Sequence, residues 1–149
     1  MGITIRQATE QDTTTISIIL GEVEAYYGGH PEPADEQQIR VALFSEPPAA
    51  AVLLAEEDGR AVGLAWFSRL WPAAGADVSL YLKELYVRED ARRHGVGEQL
   101  LAAVREAGEE LGCSRLEWTG DTDNPTALGF YKKLGVPIND GKVFYRLPL

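Results

Sequence analysis

Between Val87 and Leu101 the chain reads Val-Arg-Glu-Asp-Ala-Arg-Arg-His-Gly-Val-Gly-Glu-Gln-Leu-Leu. An apolar strand ends, a polar turn follows, and a glycine-rich loop opens an amphipathic helix. The first turn of a helix carries unpaired backbone N–H groups and a partial positive charge, which together suit a phosphate. Gly95 and Gly97 put no side chain between an anion and that backbone, and Arg92 and Arg93 add cationic charge. The competing account is a plain turn with its arginines in water. A lone glycine pair would fit that account. Strand end, arginine, glycine spacing and helix occurring together favour an anion cradle. A second chemical candidate is Glu84, mid-strand between Lys83 and Leu85. A carboxylate there needs an ion-pair partner or a task such as taking up a proton, and the pattern leaves both open. Strict alternation puts Glu84 on one face with Leu82 and Tyr86.

The elements that must position these residues follow from periodicity. Ile3 to Arg6 alternates as a first strand. Asp12 is placed to cap a helix with Ile16, Ile19, Leu20, Val23 and Tyr27 on one stripe, stopped by Gly28-Gly29. A short helix from Glu36 to Phe44 is closed by Pro47-Pro48. Ala51 to Glu56 and Ala61 to Phe67 form a hairpin around Glu-Asp-Gly-Arg. A loop with Trp71-Pro72 leads to a long strand, Ser79 to Val87, and then to a helix marked by Val96, Leu100, Val104 and Leu111. Arg115 to Thr119 predicts a strand, Pro125 to Leu134 a helix and Val143 to Leu147 a last strand. The order β-α-α-β-β-β-α-β-α-β predicts an α/β fold (α+β in its mixed sheet). A central twisted sheet carries helices on both faces, in one domain spanning 1–149.

Composition bounds the function. The 149 residues hold 14 Lys and Arg against 23 Asp and Glu, a net charge of −9. That field excludes a phosphate-backbone partner, so no nucleic acid is expected, and it would draw in a cation. Cys113 is the single cysteine, so no internal disulfide forms and a reducing cytoplasm is the expected compartment. The opening Met-Gly-Ile-Thr-Ile-Arg lacks an apolar leader, and Arg6 stands where myristoylation wants Ser or Thr. No apolar run reaches membrane-spanning length, so no membrane partner is expected, and no metal set is read.

Arg92-x-x-Gly95-x-Gly97 after Leu85-Tyr86-Val87 resembles the acetyl-CoA signature Arg/Gln-x-x-Gly-x-Gly/Ala of the GNAT superfamily of N-acetyltransferases. Asn124-Pro125-Thr126-Ala127-Leu128-Gly129-Phe130-Tyr131-Lys132-Lys133-Leu134-Gly135 is similar to that family's Asn-x-x-Ala-x-x-Phe-Tyr-x-x-x-Gly block. The element order follows the family from end to end, and the small-amine enzymes of the diamine and aminoglycoside type look nearest. The resemblance implies a GNAT-like acyl-CoA acyltransferase fold and acetyl-CoA as coenzyme. Backbone amides of Arg93, His94, Gly95, Val96, Gly97 and Glu98 would cradle the pyrophosphate. The main chain of Leu85, Tyr86 and Val87 would pair with the pantetheine arm as an added strand does. Asn124, an N-cap in its own right, would also meet that arm; Lys132 and Lys133 would touch the phosphates or only offset the dipole at the helix end.

The same resemblance puts the hydroxyl of Tyr131 beside the coenzyme sulfur. Amine attack on a thioester ends by expelling a thiolate, and a phenol within reach can protonate it. Tyr131 also fits plain core, since it shares a helix face with Ala127 and Leu134. An alkylammonium, with a pKa of about 10.4, must lose a proton before it attacks, and Glu84 is the candidate base. Diamine and aminoglycoside enzymes usually carry glutamate at the position of Lys83 instead. A one-residue shift changes sheet face unless a bulge intervenes. Lys83 would repel a polyamine and could welcome a carboxylate. Tyr26, Tyr27, His30, Glu32 and Trp71 would rim the acceptor cleft, where aromatics and acids suit a cationic amine.

The activity expected is acetyl transfer to a primary amine of a small molecule, direct and in a ternary complex, since no activated cysteine is visible. Two alternatives stay open: a protein-lysine or N-terminal acetyltransferase, and a non-catalytic acyl-CoA sensor. Homodimers are common in the family, and one is expected here by analogy alone.

Overall fold

The structure, a computed structural model, describes residues 2–149. The chain divides into an N-terminal unit ending at Trp118 and a C-terminal unit, Thr119–Leu149. The first unit holds β1 (Ile3–Gln7), α1 (Thr13–Tyr26), α2 (Glu36–Phe44), β2 (Ala51–Glu57), β3 (Arg60–Leu70), β4 (Ser79–Val87), α3 (Val96–Glu110) and β5 (Arg115–Glu117). The second holds α4 (Pro125–Lys133).

The five strands form one sheet in chain order. β1 to β4 are antiparallel neighbours, and β5 joins β4 in parallel, so the sheet is mixed. The turn between β2 and β3 has Asp58 at φ 53° and Gly59 at φ 75°, as a tight hairpin of that twist requires. Two apolar clusters sandwich the sheet. α3 brings Val96, Leu100 and Val104 onto one face, against Val62, Ala65, Phe67, Leu80 and Leu82. α1 and α2 bring Ile16, Ile19, Val23 and Ile39 onto the other, against Val52, Leu54, Leu64 and Tyr86. Helices on both faces therefore hold as expected within this unit.

Two expectations need correction. Asp12 sits at the start of α1 but does not cap it with its side chain. Its carboxylate accepts from Arg6 at 2.8 Å through both oxygens and from the Thr9 backbone N–H at 2.7 Å, and Arg6 also reaches Glu56. A charge-assisted fork to arginine outcompetes a single cap bond. The Asp12 carboxyl is held down at about 2, first by the hydrogen bond from Arg6, while partial burial acts the other way. The second correction is the last strand: Val143 to Leu147 forms no strand. Val143, Phe144, Tyr145 and Leu147 are all exposed, Tyr145 to 87%. Apolar and aromatic composition suits a strand, but a strand exists only where a neighbour takes up its backbone hydrogen bonds.

Candidate active site

β4 changes character along its length. Ser79, Leu80 and Tyr81 pair with β3 on one edge and with Arg115, Leu116 and Glu117 of β5 on the other. Past Tyr81, no strand among the described residues pairs with β4 on the β5 side. Against β3, Leu82 faces Phe67 and Glu84 faces Trp66, so Lys83 is an extra residue and the strand is bulged. Leu80 and Leu82 belong to the α3-side cluster, and Leu85 packs on it, whereas Tyr86 belongs to the α1/α2 cluster. Alternating forward from Leu82 puts Lys83 on the α1/α2 face. Alternating back from Leu85 puts Glu84 there too. The bulge thus corrects the strict alternation. Glu84 shares its face with Tyr86 and Lys83, and not with Leu82.

The end of α1 lies over this face. The Tyr27 hydroxyl donates to Glu84 Oε1 at 3.1 Å. The Tyr26 ring meets Tyr27 edge-on at 5.1 Å and Tyr86 at 6.1 Å between centroids. Arg92 lays its guanidinium 5.2 Å from the Tyr26 centroid and 5.5 Å from that of Tyr86, and its Nε donates to the Val87 carbonyl at 2.9 Å. So the first arginine of the loop ties the end of β4 to the end of α1 by cation–π contact and a backbone bond. Burial, first, and the Glu22 carboxylate, second, raise the pKa of the Tyr86 phenol, with Arg92 opposing. Glu22 is itself forked to Arg88, whose Nε donates at 3.1 Å.

The remaining rim candidates sit on two loops. The Glu32 backbone presses on α1 beside Gly21, where an added Cβ would sit 2.6 Å from the Glu32 carbonyl oxygen. Gly21 is six residues before Tyr27, about 9 Å along a helix at 1.5 Å per residue. Trp71 is 68% exposed, and its indole N–H donates to the Ala76 carbonyl at 2.9 Å within its own loop. His30 is exposed on the loop after α1.

The open edge of β4 runs into the glycine loop. Arg88 N–H donates to the Val62 carbonyl at 2.8 Å, which makes this a bonded pair. Tyr86 with Leu64 and Glu84 with Trp66 follow as bonded pairs, so the main-chain groups of Leu85 and Val87 turn to the open edge. The Arg92 bond to the Val87 oxygen confirms that direction. Arg93 at φ 69° and Gly95 at φ 82° then bend the chain into α3. A Cβ at Gly95 would have its nearest neighbour 4.0 Å away, so glycine is needed there for its dihedral and not for space. The first bond of α3 is Gln99 N–H to Gly95 O, at 3.1 Å, and no side chain caps the helix. The amides of Val96, Gly97 and Glu98 precede that bond. Arg93 is exposed, and His94 Nδ1 lies 3.8 Å from Glu57.

One supporting residue escaped the sequence reading. A Cβ at Gly63 would lie 2.9 Å from the Tyr86 carbonyl, 3.1 Å from Leu100 and 3.2 Å from Val96. Its absence lets the first turns of α3 seat on β3. A lone glycine inside a strand was the available signal for such close approach.

In the C-terminal unit Asn124 caps α4, accepting from Ala127 N–H at 3.1 Å, with Pro125 opening the helix as expected. Tyr131 is half-buried and meets Phe130 edge-on at 5.3 Å. Gly135 at φ 78° ends the helix, and Val136 N–H closes on the Tyr131 carbonyl at 3.2 Å. Lys132 and Lys133 are exposed in the last turn.

The pattern of the acetyltransferase (GNAT) family matches residues 17–136. The chain belongs to that family, and it is an N-acetyltransferase by class. It is 29% identical over 145 residues to the thialysine N-epsilon-acetyltransferase of Bos taurus, covering 89% of this chain and 83% of the relative. It is 30% identical over 121 residues to an aminoglycoside N(6')-acetyltransferase type 1 of Salmonella typhimurium, covering 79% of this chain and 82% of the relative. An integron cassette protein from the mobile metagenome of V. cholerae has a solved structure with a TM-score of 0.85 at 32% identity, over 99% of this chain and 93% of that one.

Proposed function

We propose that this protein moves the acetyl group of acetyl-CoA directly onto a primary amine of a small molecule. The observation that carries the reading is the Tyr27–Glu84 contact at the bulge of β4, on the strand whose open edge leads to the uncapped start of α3. Those residues fit the coenzyme. The outward main-chain groups of Leu85 and Val87 suit an amide-bearing arm, and the amides of Val96, Gly97 and Glu98 suit a pyrophosphate. When bound, the coenzyme supplies an activated acetyl thioester.

Glu84 takes up, through a water, the proton that the acceptor ammonium must lose, while Tyr27 orients its carboxylate. The coenzyme's C–S bond would break as the acceptor's N–C bond forms, and Tyr131 would supply the proton that the thiolate takes up. The family block from Asn124 to Gly135 supports that assignment. Cys113 is half-buried and packs against the α3-side core, which supports transfer without an acyl-enzyme. The family match crosses Trp118, which supports one working domain over 1–149. A reducing cytoplasm and a homodimer complete the proposal, the first from the single cysteine and the second by family analogy.

The test is thiol release from acetyl-CoA across polyamines, basic amino acids, aminoglycosides and a lysine peptide. One small amine should turn over. Glu84→Gln and Tyr131→Phe should each lower kcat about a hundredfold or more, the usual scale for a general base or acid. Tight coenzyme binding with no turnover of any amine would count for the sensor reading. Turnover of the peptide alone would count for the protein substrate. A covalent acetyl-enzyme seen by mass spectrometry would overturn direct transfer.

A further inference from the structure

We infer that the acceptor carries a carboxylate beside its amine, so that the β4 bulge recognises a zwitterionic, amino-acid-like substrate. The inference rests on the acetyl-transfer reading above and names its substrate class. The bulge puts a cation and an anion of adjacent residues on one face: Lys83, exposed, and Glu84, half-buried beneath the Tyr27 hydroxyl. In an unbulged strand these two side chains would point to opposite faces and could not read one small molecule. A neighbouring ammonium and carboxylate complement a ligand with the opposite pair.

The surrounding charges favour this over a bare diamine. Arg88 is committed to Glu22 and the Ala61 carbonyl, and Arg92 to two tyrosine rings and the Val87 carbonyl. Lys83 therefore brings a charge to the acceptor face that a second ammonium would meet as repulsion and a carboxylate as a hydrogen-bonded ion pair. The net charge of −9 works against a purely anionic acceptor, whereas a zwitterion presents its amine without a net negative charge.

The experiment compares matched acceptors that differ only by the carboxylate: lysine with cadaverine, ornithine with putrescine, and lysine with lysine amide. Thiol release is read as kcat/KM. The wild type should prefer each amino acid about tenfold over its decarboxylated partner, the scale of one good ion pair at roughly 1.4 kcal/mol. Lys83→Gln should erase that preference through the KM of the amino acid, and Lys83→Glu should turn it towards the diamine. Coenzyme A affinity, measured alongside, reports that each variant is folded. Equal or better turnover of diamines by the wild type overturns the inference, as does a preference that Lys83→Gln leaves untouched. Turnover that ignores the carboxylate overturns this inference alone. Absence of thiol release with every amine overturns it together with acetyl transfer itself.

Discussion

From Ser79 to Tyr81, β4 has strands on both edges, and Leu80 is fully buried under α3. From Lys83 to Val87 the same strand keeps β3 on one edge, opens the other and carries a bulge. The closed half spends its main-chain groups on the sheet. The open half keeps those of Leu85 and Val87 turned outward, and its bulge turns two charged side chains to one face. An open edge is ordinarily a hazard, because it invites another strand. Here the hazard lies where an extended, amide-bearing coenzyme would be received. Stability and chemistry are thereby separated by a few residues of one strand.

The comparison can be broken by substitution. The largest stability loss belongs to the closed half: Leu80→Ala should cost about 3 kcal/mol in urea denaturation, in the range for a fully buried leucine. Glu84→Gln, in the open half, should stay within about 0.5 kcal/mol of wild type. Equal losses for the two would end the distinction. A middle effect is expected where the halves share a foundation. Gly63→Ala puts a methyl 2.9 Å from the Tyr86 carbonyl and should cost about 2 kcal/mol by overpacking. It should also weaken coenzyme binding by lifting the start of α3. Lost stability with unchanged coenzyme affinity would show that the loop does not depend on that seat.

The smallest effect lies away from β4. The Asp12 carboxyl, at about 2 against an ordinary 3.8, is depressed by Arg6. A depressed carboxyl stabilises the fold above its ordinary value, and that stability drains away as pH falls from about 4 through about 2. Because Arg6 is 42% exposed, the contribution is screened to about 1 kcal/mol. Asp12→Asn should remove that acid limb from a stability profile measured between pH 6 and pH 2. An unchanged limb would place the acid sensitivity in other carboxylates.

Much of this was legible in residues alone. Gly28 and Gly29 stopped α1, Asp58-Gly59 turned the β2–β3 hairpin, and Asn124-Pro125 opened α4, because each rests on local dihedral chemistry. The glycine loop was legible for the same reason, since Gly95 at φ 82° and an uncapped helix start are features of a few adjacent residues. Other features were not. Asp12 looked like a cap until Arg6 claimed it, and Val143 to Leu147 has a strand's composition but forms no strand. Local pattern also did not show that the Trp71 indole bonds the Ala76 carbonyl or that the Glu32 backbone presses on Gly21.

By itself the sequence determined the order of elements, the loop that opens α3 and the family signature, all carried by neighbours in the chain. Only the tertiary structure decided that Lys83 and Glu84 share a face, that Tyr27 reaches Glu84, and that Arg92 braces Tyr26 and Tyr86. Period two has no memory of an inserted residue. Which residue of β4 stands without an opposite is set by pairing with β3, a partner some twenty residues away, and no local pattern records that register.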